Sequence, residues 1–100
     1  MSIKKLTNNE FDSAVASGLA LIDFYADWCG PCRMLAPTIE AIAEERSDVT
    51  VGKVNVDSEG ELARKFGIFS IPTLVVLRDG EEVDRAVGFR SREQILELLD

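Results

Sequence analysis

Apolar and polar residues follow two rhythms along this chain, and the switches between them mark its elements. Thr7-Asn8-Asn9-Glu10 has the spacing of a capping box, and Phe11, Ala14 and Val15 follow at helical spacing until Gly18 ends the helix. Residues 19–26 are apolar on both alternating faces and broken only by Asp23, which predicts a central strand covered on both sides. Asp27-Trp28 turns the chain into Cys29-Gly30-Pro31-Cys32. Leu35, Ile39, Ile42 and Ala43 then mark a long helix, with Pro37 kinking it. Residues 49–56 are β-branched and read as a strand. Ser58-Glu59-Gly60-Glu61 is a second possible capping box, opening a short helix with Leu62 and Phe66 that Gly67 stops. Ile71 and residues 73–77 form a fourth strand, Asp79-Gly80 signals a hairpin, and Glu81–Val87 returns. Ser91-Arg92-Glu93-Gln94 caps a last helix with Ile95, Leu98 and Leu99 inward.

The order is βαβαβ, then a helix, a hairpin and a helix. Strands alternating with helices imply parallel pairing through right-handed crossovers, and the terminal hairpin adds an antiparallel edge. The expectation is an α/β fold: a mixed central sheet of about five strands flanked by about four helices. One hundred residues, without repeat or linker, are expected to form a single domain over 1–100.

Composition narrows the function. With 46% hydrophobic and 29% charged residues the chain can build one core and is not a disordered segment. A net charge of −7 and no basic cluster longer than two residues disfavour nucleic acid and anionic membranes. No apolar stretch is long enough to cross a bilayer, and the first residues have neither the apolar run of a secretion signal nor transit-peptide composition. A cytoplasmic, monomeric protein is expected. Its two cysteines, Cys29 and Cys32, would close so small a loop that stabilisation explains them poorly. They read as chemical, in a reducing compartment.

If a helix starts at Cys29, helical geometry sets the two Cα atoms about 5 Å apart, inside the range for a disulfide. Unpaired amides and the dipole at a helix N-terminus stabilise a thiolate. Cys29, first in the helix after an exposed turn, is expected to be the accessible nucleophile of lowered pKa. Cys32, one turn in, is expected to be shielded and to resolve the mixed disulfide. Pro31 fits a first turn, where its missing N–H costs nothing. A structural zinc site is the rival reading, but zinc usually takes four Cys or His ligands, and this chain has two cysteines and no histidine. No metal and no bound cofactor are expected.

A Cys-x-x-Cys pair beside a βαβ pattern is the general mark of a thioredoxin-like redox motif. Here the likeness reaches further: Asp23, Ala26-Asp27-Trp28-Cys29-Gly30-Pro31-Cys32, Pro37, Lys53, Ile71-Pro72-Thr73 and Gly88 stand in the order and spacing of thioredoxins. The chain resembles that family over nearly its whole length. The resemblance implies a thioredoxin-like fold and a protein-disulfide reductase acting on disulfide-containing proteins. It also implies a reductase, NADPH- or ferredoxin-dependent, that restores the dithiol. Pro72 matches the family's cis-proline beside the dithiol, leaving the Ile71 backbone free to pair with an extended substrate. Trp28, Gly30, Pro31, Ile71, Pro72 and Gly88 would form a shallow apolar patch around Cys29. Tyr25 stands where many thioredoxins have a second tryptophan, and Phe69 and Phe89 fall near the expected docking surface at positions that vary in the family.

Each remaining site residue has a plainer alternative. Asp23 is either a strand-end carboxylate or a buried one whose raised pKa suits it to take the Cys32 proton. Lys53 is either its partner or an ordinary solvated lysine. Trp28 is either a surface platform or a core anchor. The Glu40, Glu44 and Glu45 group reads as a solvated helix face. Two rival functions share the fold: an oxidase or isomerase, against which the Gly-Pro insert argues because no histidine stabilises the thiolate, and a module that only binds.

Overall fold

A computed structural model, which describes residues 3–100, contains β1 (Lys4–Lys5), α1 (Phe11–Ala14), β2 (Leu19–Tyr25), α2 (Gly30–Glu45), β3 (Val49–Asn55), α3 (Gly60–Lys65), β4 (Thr73–Arg78), β5 (Glu81–Val87) and α4 (Arg92–Leu99). The sheet order is β1-β3-β2-β4-β5. β3 pairs in parallel with β1 and β2, while β4 runs antiparallel to β2 and β5 antiparallel to β4. This is the mixed α/β sheet of about five strands with four helices that is expected; four of the five strands are named by the residue pattern, and β1, two exposed lysines, carries no apolar signal. The antiparallel part of the sheet begins at β4 itself, not only at the returning strand of the hairpin.

Alternation along β2 divides the interior into two layers. Leu21 packs with Val51 of β3 and with Leu74 and Val76 of β4 beneath Leu35, Ile39 and Ile42 of α2 and Ile95 of α4. Ala20, Ile22 and Phe24 point the other way, toward Phe11 of α1 and Leu62 of α3. Asp23 lies two residues beyond Leu21, so it shares the α2 face, as do its register partners Lys53 and Leu74. Strand parity thus carries the one charged residue of β2 toward the helix that holds the cysteines.

Local signals decide several termini. Asp79 and Gly80 both have positive φ, 52° and 88°, as a two-residue type I′ hairpin turn requires. Ser91 and Gln94 form the reciprocal capping box at α4. The other two capping spacings are not used. α1 starts after Glu10 without a side-chain cap and stops at Ala14, short of Gly18. α3 is capped from elsewhere: Asn8 Oδ1 accepts the Leu62 N–H at 3.1 Å, and Glu59 Oε1 accepts the Asn8 N–H at 2.9 Å. Asn8→Ala is therefore expected to lower stability by about 1 kcal/mol, the usual value of a lost N-cap. Hydrogen exchange should localise that loss to α3, and an unchanged α3 would refute the cross-chain cap.

Candidate active site

Helix α2 begins one residue after Cys29, which adopts an extended conformation as its N-cap. Cys29 Sγ accepts the Cys32 backbone N–H at 3.2 Å, and the Cys29 carbonyl accepts the Arg33 N–H at 3.1 Å. Pro31 occupies the first turn, where no N–H is needed. The two cysteines are joined as a disulfide with Cα atoms 5.2 Å apart, the separation that helix geometry predicts for the pair.

The expected contrast in exposure between the two cysteines is not found. Cys29 is 5% and Cys32 4% exposed. Cys29 turns inward from the exposed Asp27-Trp28 pair and packs with Ala26 and Cys32 against Tyr25, Val56 and Ile71. What distinguishes the two is the direction of the helix amides, since a backbone N–H points at Cys29. The Ile71 carbonyl oxygen lies 3.8 Å from Cys29 Sγ, where it would accept from a reduced thiol.

The Ile71-Pro72 bond is cis. Gly88, at φ 95°, donates its N–H to the Pro72 carbonyl at 2.7 Å, so the two segments that flank the dithiol are tied together. Pro72 itself is buried, Ile71 and Gly30 are partly exposed, and Pro31 is exposed.

Trp28 is 68% exposed and is no core anchor. Its Nε1–H donates to Asp57 Oδ2 at 2.8 Å, which fixes the indole over the protein surface. Nothing in the sequence marks Asp57 as a site residue. The Asn55 side chain, accepting from the Asp57 and Ser58 amides, shapes the turn that presents it. An Asn two residues before an Asp signals such a turn but not a contact 29 residues away. Met34, Phe69 and Phe89 are also exposed, with Phe69 at 97%. Along the chain they stand two residues from Cys32, two from Ile71 and one from Gly88.

Asp23 is 1% exposed, and among the described residues neither carboxylate oxygen has a hydrogen-bond partner. Burial pushes its pKa from the ordinary 3.8 up to about 6, and the charge of Lys53 opposes the rise. Lys53 Nζ lies 4.4 Å from the centroid of the Tyr25 ring. Tyr25, Ala26, Asp27, Cys32, Arg33, Ala36 and Lys53 line a recess that Lys53 and Tyr25 share with the second cysteine, while Asp23 lies buried beneath and does not line it. Among the described residues no group of three His, Cys, Asp or Glu side chains could hold a metal, and no helix is long and apolar enough to cross a membrane.

The Thioredoxin family model matches residues 2–100. The chain is 45% identical over 98 residues to a thioredoxin of Chlamydia caviae, covering 98% of this chain and 96% of that one. It is 47% identical over 103 residues to a thioredoxin of Staphylococcus aureus strain Mu50, covering 100% and 97%. Its structure resembles a mutant thioredoxin from Halobacterium salinarum NRC-1 with a TM-score of 0.92 at 38% identity, over 98% of this chain and 88% of that one. Likeness at this level runs through sheet, helices and dithiol loop together, and the chain belongs to the thioredoxin family, the thiol–disulfide oxidoreductases that reduce protein disulfides.

Proposed function

We propose that Cys29 attacks and Cys32 resolves. The observation that carries this assignment is the Cys32 N–H aimed at Cys29 Sγ from the first turn of α2, which favours charge on that sulfur. The Cys29 thiolate displaces one sulfur of a protein disulfide, and that sulfur leaves as a thiolate that water protonates. Cys32 then gives its proton to the ionised Asp23 and attacks Cys29 Sγ. The second substrate sulfur departs and is protonated in turn. Two electrons have passed to the substrate, and the Cys29–Cys32 disulfide remains.

Trp28, Gly30, Pro31, Ile71, Pro72 and Gly88 provide the docking surface, with the Ile71 backbone pairing to an extended segment of the substrate. Lys53 moderates Asp23. The chain works as a single monomeric domain over residues 1–100, in the cytoplasm. It carries electrons there from a flavoprotein reductase that uses NADPH. The test is reduction of a small disulfide-bonded test protein, recycled by a purified NADPH-dependent reductase and, in a parallel arm, by a ferredoxin-dependent one. NADPH oxidation that depends on this chain and vanishes in Cys29→Ser, Cys32→Ser supports the reading. Turnover retained by that double variant defeats it.

A further inference from the structure

Three side chains on the α2 face of the sheet form a unit that includes neither cysteine. Tyr25 follows Asp23 by two residues on β2, and Lys53 is the register partner of Asp23 on β3. Alternation puts all three on one face. Lys53 makes no ion pair among the described residues, and its ammonium rests 4.4 Å from the Tyr25 ring centroid. Asp23, beside it, keeps both oxygens unpartnered. On the far side of Lys53, β1 sets Lys5 in register with it, and Lys5 and Glu59 line a second recess with Lys53 and Tyr25, while the elements packed directly on Asp23 bring little charge. β4 offers Leu74, and the nearby α2 and α4 core positions are Leu35, Ile39 and Ile95. Asp27 and Arg33 also line the recess, but Arg33 is engaged through Nη1 with the Asp27 carbonyl at 2.8 Å. Lys53 is the charge that acts on Asp23.

An ammonium is drawn to the negative face of an aromatic ring within about 6 Å. Without such a ring, a lysine on a partly exposed strand position extends its head into water. We propose that Tyr25 is a positioning residue for the dithiol reaction: its ring retains the Lys53 ammonium at the recess, close enough to favour ionised Asp23 yet not bonded to it. A direct ion pair would make Asp23 a weak base. A lysine lost to solvent would leave burial unopposed and keep the carboxyl protonated to higher pH. The ring-held cation is a third arrangement between these two. The catalytic meaning of the device rests on Asp23 taking the Cys32 proton; its electrostatics do not.

The test follows the Asp23 carboxyl carbon by NMR across pH in the oxidised protein. Tyr25→Phe and Tyr25→Trp keep a ring and should titrate as the parent does. Tyr25→Leu should titrate at least ~0.5 pH unit higher, about a threefold gain in proton affinity. In a Lys53→Met background, Tyr25→Leu should add nothing. A Leu variant that titrates with the parent or below it overturns the proposal, as does a shift that persists without Lys53. Should Tyr25→Leu fail to fold, the Lys53 side-chain protons decide the matter in the parent and in Tyr25→Phe. Upfield ring-current shifts support the proposal, and ordinary lysine shifts overturn it. None of these readouts depends on turnover, so an Asp23 with no catalytic role would leave the result standing.

Discussion

Cys32→Ser is expected to stop turnover and leave the protein covalently joined to its substrate. The first step keeps what it needs. Cys29 remains the N-cap of α2, and the amide that donates to its sulfur at 3.2 Å belongs to the backbone of residue 32, so the substitution does not remove it. The second step loses its nucleophile, because a serine hydroxyl in place of the thiol is not a thiolate that can attack across a 5.2 Å Cα separation. Turnover should fall by ~10⁴-fold or more, the scale seen when one member of a cooperating catalytic set is removed. Mass spectrometry should find one substrate molecule bound per chain, released by dithiothreitol. Cys29→Ser should lose as much turnover and form no adduct. The two cysteines are almost equally buried, so the assignment leans on the helix amide and not on access. An adduct formed readily by Cys29→Ser would reverse the roles.

The elements that can be read from sequence are those decided within a few residues. Asp79-Gly80 specifies its turn because both positions need positive φ, and Ser91 with Gln94 closes a capping box inside one turn of helix. The Cys-Gly-Pro-Cys loop is legible for the same reason, since N-cap, first-turn proline and second cysteine span four residues. The same Ser/Thr-x-x-Glu spacing fails at Thr7 and Ser58. There the chain accepts backbone turns instead, with Glu10 and Phe11 both donating to the Thr7 carbonyl. The actual cap of α3 comes from Asn8, 54 residues before the amide it satisfies, and no local pattern encodes that meeting. Trp28 and Asp57 are a similar case. The exposure of Cys29 could not be judged either, because it depends on how Ile71 and Val56, from other elements, close over the loop. Asp23 lies between these extremes. As the lone charge in an apolar run it is conspicuous in sequence, but the face it occupies emerges only once α2 and α4 are seen to cover one side of β2.

Asp23→Asn is expected to stabilise the protein at neutral pH while slowing it. Well below pH 3.8 the carboxyl is protonated in the folded and unfolded chain alike, and parent and variant should differ little. As pH rises from the unfolded value of 3.8 toward the folded value of about 6, the unfolded chain gives up the proton and the folded one keeps it. A folded pKa raised in this way means that parent stability is full below the lower value, declines through the interval and levels off above the upper one. A gap of about two pH units at ~1.4 kcal/mol each makes the decline ~3 kcal/mol. The Asn variant has no such proton to lose and should show a flat profile. Its net advantage at pH 7 should be ~1–3 kcal/mol, because a buried amide without partners carries its own smaller desolvation cost. Urea titrations at steps between pH 3.5 and 7.5 would measure both curves. Turnover should fall by up to ~10²-fold, the low end of what a positioned base supplies, and the rise of the parent rate near pH 6 should vanish. Parallel stability curves and equal rates would show that Asp23 is solvated in the working protein, against the 1% exposure and the two unpartnered oxygens. The opposite result would show that a carboxylate costly to the fold is retained because the second half of the exchange requires a base beside Cys32.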